Sequence, residues 1–296
     1  LPAKLDEKTG SQTFNIEAAV TDLNGQQVAN RVSVIVHQGQ YYIGIAPADY
    51  VGTTGQPMDF NLLTVDWHGQ PAGNKNVETT FYQREWYNVQ EKDDFGNIMW
   101  TWSFSDTAVF TATAATGTDG KGTTSFTPPA GGEYRVVARG TDDKGNQIAS
   151  STYVWVSSEK YVSWRQDNND RISLVADKKE YAPGDVAKIL IPSPYQGIVR
   201  ALVTVERGHV IDAQVIDLKT NSDVIDIPIT PDMAPNAFAS VVIVKGVDQN
   251  ELQILAFLGR YAVLLQAFHG MLAALDPLGQ RHLFFCGQQW DAADFL

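Results

Sequence analysis

The residues most able to do chemistry lie near the end of the chain, where His269, His282 and Cys286 could be imagined as a metal-ligand set. Their spacing matches no C-x-x-C or H-E-x-x-H pattern, and with a single cysteine in 296 residues a Cys-based zinc cluster and an internal disulfide framework are both excluded. A second chemistry is suggested by three stretches in one D-x-x-G frame. They are Asp22-Leu-Asn-Gly25, Asp66-Trp-His-Gly69 and Asp142-Asp-Lys-Gly145. Carboxylates beside Asn are oxygen ligands suited to calcium, but no acidic cluster recurs at EF-hand spacing. Each stretch reads better as a hairpin turn, with Asp capping the backbone and Gly supplying the positive φ. A third possibility is the aromatic run through Trp86-Tyr87 and Phe95 to Trp100-Thr-Trp102-Ser-Phe104. Ile98, Trp100, Trp102 and Phe104 share one strand face, which could stack on sugar rings or on a partner; filling a sandwich core is the expected use. No G-x-S-x-G elbow, H-E-x-x-H helix or phosphate-binding loop is present, so no catalytic residue, cofactor site or metal site is assigned and the chain is expected not to be an enzyme.

The elements that must carry these residues are strands. From Thr13 to about Val244 the dominant period is two, as in Phe14, Ile16, Ala18 and Val20 or Val32, Val34 and Val36. Val, Thr, Tyr and Phe fill these runs, and such side chains suit a pleated, half-covered surface. The expected fold class is all-β, with tandem immunoglobulin-like, macroglobulin-type β-sandwich modules and an atypical, partly helical C-terminal tail.

Composition sets outer bounds. Hydrophobic residues at 44% and charged ones at 19% belong to a globular chain. A net charge of −12 argues against nucleic acid as partner, because a phosphate-reading surface is normally basic. No signal peptide is visible, and the stretch Leu252 to Leu275 contains Arg260 and His269, which disfavours a bilayer span.

The punctuation divides the chain into residues 1–40, the last strands of a truncated sandwich; 41–158, a complete sandwich; 159–248, the start of a third module; and 249–296, the tail. Polar Ser157 to Asp170 is expected to be a linker. After Asp248 the character changes, since no Ser, Thr or Lys occurs from Gln249 to Leu296. A helical stripe through Leu252, Leu255 and Ala262 replaces the strand period up to Met271. Such a tail inside a β module suggests frameshifted or otherwise non-native sequence.

Longer words narrow the reading. Ala176-Asp-Lys-Lys-Glu-Tyr-Ala-Pro-Gly-Asp185, Ile191-Pro-Ser-Pro-Tyr195, Val203-Thr-Val-Glu-Arg-Gly208, Ile225-Asp-Ile-Pro-Ile229 and Ala234-Pro-Asn236, preceded by Gly132-Glu-Tyr-Arg-Val136 and Tyr153-Val-Trp-Val156, resemble the bacterial α2-macroglobulin family over residues 10–248. The resemblance implies an extracytoplasmic, periplasmic or cell-surface protein, with a lipid anchor through a missing N-terminus as one expected option, that traps endopeptidases. A protease cuts a bait segment and the module array rearranges around it. Residues 41–158 would be a macroglobulin module and 159–248 the opening of the bait-region module. In this family a Cys-Gly-Glu-Gln thioester can bond the attacker. Cys286-Gly-Gln-Gln289 is a near match, but it falls too soon after the bait module and is read as chance. The competing class is an adhesive or carbohydrate-binding array, which would need Trp100 and Trp102 exposed on a flat face.

Overall fold

In the computed structural model, residues 10–92, 98–166, 171–244, 261–262 and 283–284 are described. Nearly all of the regular structure is extended, as the period of two predicts; one turn of 3₁₀ helix, Pro231–Met233, interrupts it. Strands β1 (Gln12–Thr21) and β2 (Gln27–Val36) form an antiparallel hairpin of two strands. Its register places Phe14 opposite Val34, Ile16 opposite Val32 and Val20 opposite Val28, so from Phe14 to Val20 one face is apolar except for Asn30, opposite Ala18. Among the described residues that face is uncovered, with Val20 and Val28 each more than two-thirds exposed.

The second unit is a two-sheet sandwich. It contains β3 (Tyr42–Pro47), β4 (Val51–Thr53), β5 (Met58–Val65), β6 (Asn76–Lys92), β7 (Ile98–Ala115), β8 (Lys121–Phe126), β9 (Gly132–Thr141) and β10 (Gln147–Ser157). One sheet has the order β3-β5-β8 and faces a sheet of order β4-β10-β9-β6-β7. Strand β5 shows why the pattern folds: Met58, Phe60, Leu62 and Thr64 are buried and the residues between them are not. Phe81 and Phe126 stack with ring centroids 4.4 Å apart, against Phe60, Tyr134 and Val136. The Tyr134 hydroxyl donates to the Ala130 carbonyl at 2.8 Å, an arrangement common at sandwich corners, and burial pushes its pKa up to about 12. Gly120, at φ +75°, closes the β7–β8 turn against the Thr64 carbonyl, 2.3 Å from where a Cβ would stand, so only glycine fits.

The third unit comprises β11 (Val175–Ala176), β12 (Glu180–Tyr181), β13 (Val186–Pro192), β14 (Val199–Glu206), β15 (Val210–Leu218), β16 (Ser222–Pro228) and β17 (Phe238–Val244). Sheet β11-β13-β16 packs on the sheet containing β15, β14 and β17 through Ile189, Ile191, Ala201, Val203, Val241 and Ile243. Two short strands join these edges: β18 (Tyr261–Ala262) pairs with β17, and β19 (Leu283–Phe284) pairs with β12. The helical stripe expected over 252–271 lies outside the described residues apart from Tyr261–Ala262, which are extended.

One expectation is corrected. The row Ile98, Trp102 and Phe104 does not fill the core: Ile98 is 61% exposed, Phe104 46%, and Trp102 is half-buried. The cause is register. Strand β9 pairs with β6 only from Glu78 to Arg84, so beyond Arg84 strands β6 and β7 run on as a two-stranded ribbon, with no opposing sheet among the described residues. At about 3.3 Å per residue, Glu85 to Lys92 carries it roughly 25 Å further. Phe81 faces Phe110 and Tyr82 faces Ala108, which leaves Val109 as a bulge residue. That one extra residue turns Phe110 toward the core and puts Trp102 and Phe104 on the outer face. The linker expected over Ser157 to Asp170 is anchored in part at two apolar residues. Val162 and Trp164 are 4% and 5% exposed.

Candidate functional site

The joint between the second and third units is built by that connector. After β10 the chain meets the corner before β16. Val162 N–H donates to Asn221 Oδ1 at 3.0 Å, and Asn221 Nδ2 returns a bond to the Val162 carbonyl at 2.7 Å. Trp164 Nε1 donates to the Asn221 carbonyl at 2.8 Å. Ser222 Oγ accepts from Ser158 N–H at 2.9 Å and donates to the Ser158 carbonyl at 2.7 Å. An amide and a hydroxyl thus imitate a neighbouring strand, satisfying backbone groups that burial would otherwise strand.

Apolar packing closes the same joint. Val51 from the second unit and Val175 and Leu190 from the third enclose Val162 and Trp164, with Trp155 and Val224 at the margin. Burying a side chain of this size contributes about 1.5–3 kcal/mol. On the other side Tyr50 N–H donates to the Asp177 carbonyl at 2.7 Å, and the Lys179 ammonium lies 5.7 Å from the Tyr50 ring centre. Asp177 is itself fixed: its carboxylate accepts from the Tyr181 hydroxyl and, at 2.9 Å, from Lys188 N–H. Burial, together with that acceptor, pushes the Tyr181 phenol far up, so it stays a donor.

The connector also touches the base of the ribbon. Ser163 Oγ donates to the Trp86 carbonyl at 2.9 Å, and the Arg165 guanidinium sits 5.4 Å from the Trp86 ring centre. Beneath them Arg84 forms a two-pronged pair with Asp106, Nε to Oδ1 at 2.8 Å and Nη2 to Oδ2 at 2.9 Å, and reaches Glu133 at 3.5 Å. The guanidinium stacks 3.8 Å from the Phe104 ring centre. Burial would lower the Arg84 pKa, but the bond to Asp106 and the charges around it outweigh that and hold it up. Glu133 goes the other way. Burial raises its carboxyl, and the bond from Trp86 Nε1 at 2.9 Å and the Arg84 charge offset only part of the rise.

The three aspartate turns are hairpin turns. Asp22 Oδ1 accepts N–H groups of Asn24 and Gln26 at 2.9 and 2.8 Å, Asp66 those of His68 and Gln70 at 2.8 Å each, and Asp142 those of Lys144 and Asn146 at 2.9 and 2.8 Å. Gly25, Gly69 and Gly145 all lie near φ +80°. Asp142 differs in being buried and in taking a further bond from Gln40 N–H at 3.0 Å, which ties the end of the first hairpin to the second unit. Among the described residues no group of His, Cys, Asp and Glu is arranged to hold a metal ion. His269, His282 and Cys286-Gly-Gln-Gln289 lie outside the described residues, as does the side chain of Trp100.

Sequence reasoning missed Asn221, Arg84 and Asp106. Nothing local marks them, because their partners are 22 to 59 positions away. Val162 and Trp164 did leave a trace, an apolar pair at period two within a polar stretch.

Comparison with known proteins bears on the same joint. Residues 44–157 match the model of bacterial macroglobulin domain 6, and residues 172–264 match that of the alpha-2-macroglobulin bait region domain. The second match runs past Asp248 into the atypical segment. An alpha-2-macroglobulin homolog of Nostoc sp. is 24% identical over 243 residues, covering 82% of this chain and 12% of the relative. One from Yersinia pestis is 25% identical over 235 residues, 77% of this chain and 11% of the relative. The chain thus spans about an eighth of the length of the curated relatives it matches. Among solved structures, Salmonella alpha-2-macroglobulin reacted with methylamine aligns over 86% of this chain and 17% of its own, at 17% identity and a TM-score of 0.37. With the two domain matches taking in well over half of its residues, in the order in which the strands form two units, the chain belongs to the bacterial alpha-2-macroglobulin family.

Proposed function

We propose that this stretch is the load-transmitting scaffold of a protease-trapping inhibitor, placed beside the bait that target endopeptidases cut. The observation that carries the reading is the succession of a macroglobulin domain and a bait region domain across a connector whose Val162 and Trp164 are buried and hydrogen-bonded to Asn221. Cleavage of a bait becomes useful only when the displacement it releases reaches neighbouring modules, and discrete packed interfaces transmit such displacement. Its action is mechanical rather than catalytic, and its partners are endopeptidases and adjacent modules of the same protein. We assign residues 1–40 to a module completed elsewhere, 41–158 to the macroglobulin domain and 159–248 to the bait-region domain, whose family match runs on to residue 264. The working compartment is extracytoplasmic. No helix among the described residues is long and apolar enough to cross a membrane.

Limited proteolysis of the parent protein, followed by small-angle scattering, tests the proposal. One preferred cut beyond the bait-region strands, with a large fall in radius of gyration, is expected. Uniform digestion without compaction would count against trapping. A sugar-stacking role finds little support in the described part of the ribbon, because the Arg84 guanidinium covers the Phe104 ring and Trp102 is half-buried.

A further inference from the structure

We propose that the outer edge of β7 is a docking strand for an extended polypeptide segment whose side chains alternate apolar and polar. This goes beyond the trapping reading and does not depend on it. Strand β7 ends the order β4-β10-β9-β6-β7, and among the described residues no strand pairs with its far side. An edge strand presents a row of unpaired N–H and C=O groups, and natural sheets blunt such edges with Lys, Pro or inward charges. From Ile98 to Ala115 there is no Lys, Arg, Glu or Pro. The one charge, Asp106, is already held by both prongs of Arg84. The bulge at Val109 breaks the ladder locally, so the uninterrupted docking edge runs from Ile98 to Ala108.

The side chains specify the occupant. On the outer face lie Trp102 and Phe104, joined by Trp86, whose ring is 5.3 Å from that of Phe104. On the other face lie Thr101, Ser103, Ser105 and Thr107. An added strand alternates in step with its neighbour, so it would place apolar residues beside the aromatics and polar ones beside the hydroxyls. A second copy of this chain is a poorer fit, since it would bring two molecules of net charge −12 together edge to edge. A segment with few charges meets no such repulsion.

The test uses the whole chain and a fluorescent, end-blocked peptide of about nine residues alternating threonine and valine, read by anisotropy. Saturable binding is expected, weakened roughly tenfold or more when every second peptide nitrogen is methylated, because that removes the donors along one edge. Trp102→Asp should weaken the unmethylated peptide by about the same factor. Equal binding of methylated and unmethylated peptides would overturn the proposal, as would no binding at about 1 mM peptide, where the free energy gained is only ~4 kcal/mol. Sedimentation equilibrium supplies the last arm. A dimer of this chain that the peptide fails to dissociate would assign the edge to a second copy and refute the proposal.

Discussion

Replacing Asn221 with alanine removes the side chain that holds the connector while leaving the Trp164-to-carbonyl bond formally intact. Two groups of Val162 lose partners, the N–H now bonded at 3.0 Å and the carbonyl bonded at 2.7 Å, in a residue 4% exposed. A buried polar group left without a partner costs about 1–3 kcal/mol, so the pair costs about 2–6. Water entering from the exposed Ser163 side should hold the loss to the lower half of that range, about 2–4 kcal/mol. Urea denaturation followed by tryptophan emission is a suitable assay, since Trp164 sits in the joint and its environment reports the joint opening. The variant should show an early transition with a red shift that the parent lacks, while the second unit unfolds at its former midpoint. Asn221→Asp keeps the acceptor for Val162 N–H but sets a second acceptor against the Val162 carbonyl. It should therefore be as weak at neutral pH and recover on acidification, when a protonated carboxyl can donate. An alanine variant within about 0.5 kcal/mol of the parent would refute the argument that this clasp holds the modules together.

Glu133→Gln should flatten the acid limb of the stability curve. The carboxyl is raised in the folded state, so ionising it penalises that state; the parent gains stability as pH falls through the raised folded value toward the unfolded one near ~4.3. Parallel curves for parent and variant in urea titrations from acid to neutral pH would contradict this. Asp142→Ala should cost about 1–3 kcal/mol in thermal or urea melts, and the less buried counterparts Asp22→Ala and Asp66→Ala no more than about 1. Burial alone would raise Asp142, but donors from Asn146, Gln40 and Lys144 hold it low, so its contribution is present above the ordinary carboxylate pKa and fades as pH drops through the lower folded value. Deleting Val109 should cost more than about 3 kcal/mol, because it rephases β7 and parts Asp106 from Arg84; a near-silent deletion in a urea melt would show that the bulge is not setting the register.

Much of the fold was legible because burial on one face writes itself as period two. Met58, Phe60 and Leu62 show it, and so do Val199, Ala201, Val203 and Val205, all inward on β14. The turns were legible because an aspartate four residues before its second N–H donor, with glycine at positive φ between, is a local device. What failed was non-local. Ile98 to Phe104 alternates like a core strand, and nothing in those residues reveals that β9 stops opposite Arg84 or that Val109 adds a residue. The joint was hidden for the same reason. Asn221 is polar and lies in a turn, and only the fold brings it to Val162, 59 positions earlier.

The clasp at Val162 has a further consequence for how the chain there meets proteases. Nicking at a site follows the fraction of time the chain there is locally open, when opening and closing outpace cleavage. To open at Val162, the chain must first undo a clasp worth about 2–4 kcal/mol, which lowers that fraction by a factor of roughly 30 to 700. The chain at Val162 is therefore a poor substrate by construction. If the proposed trap is right, a cut in the bait would leave this neighbouring peptide standing.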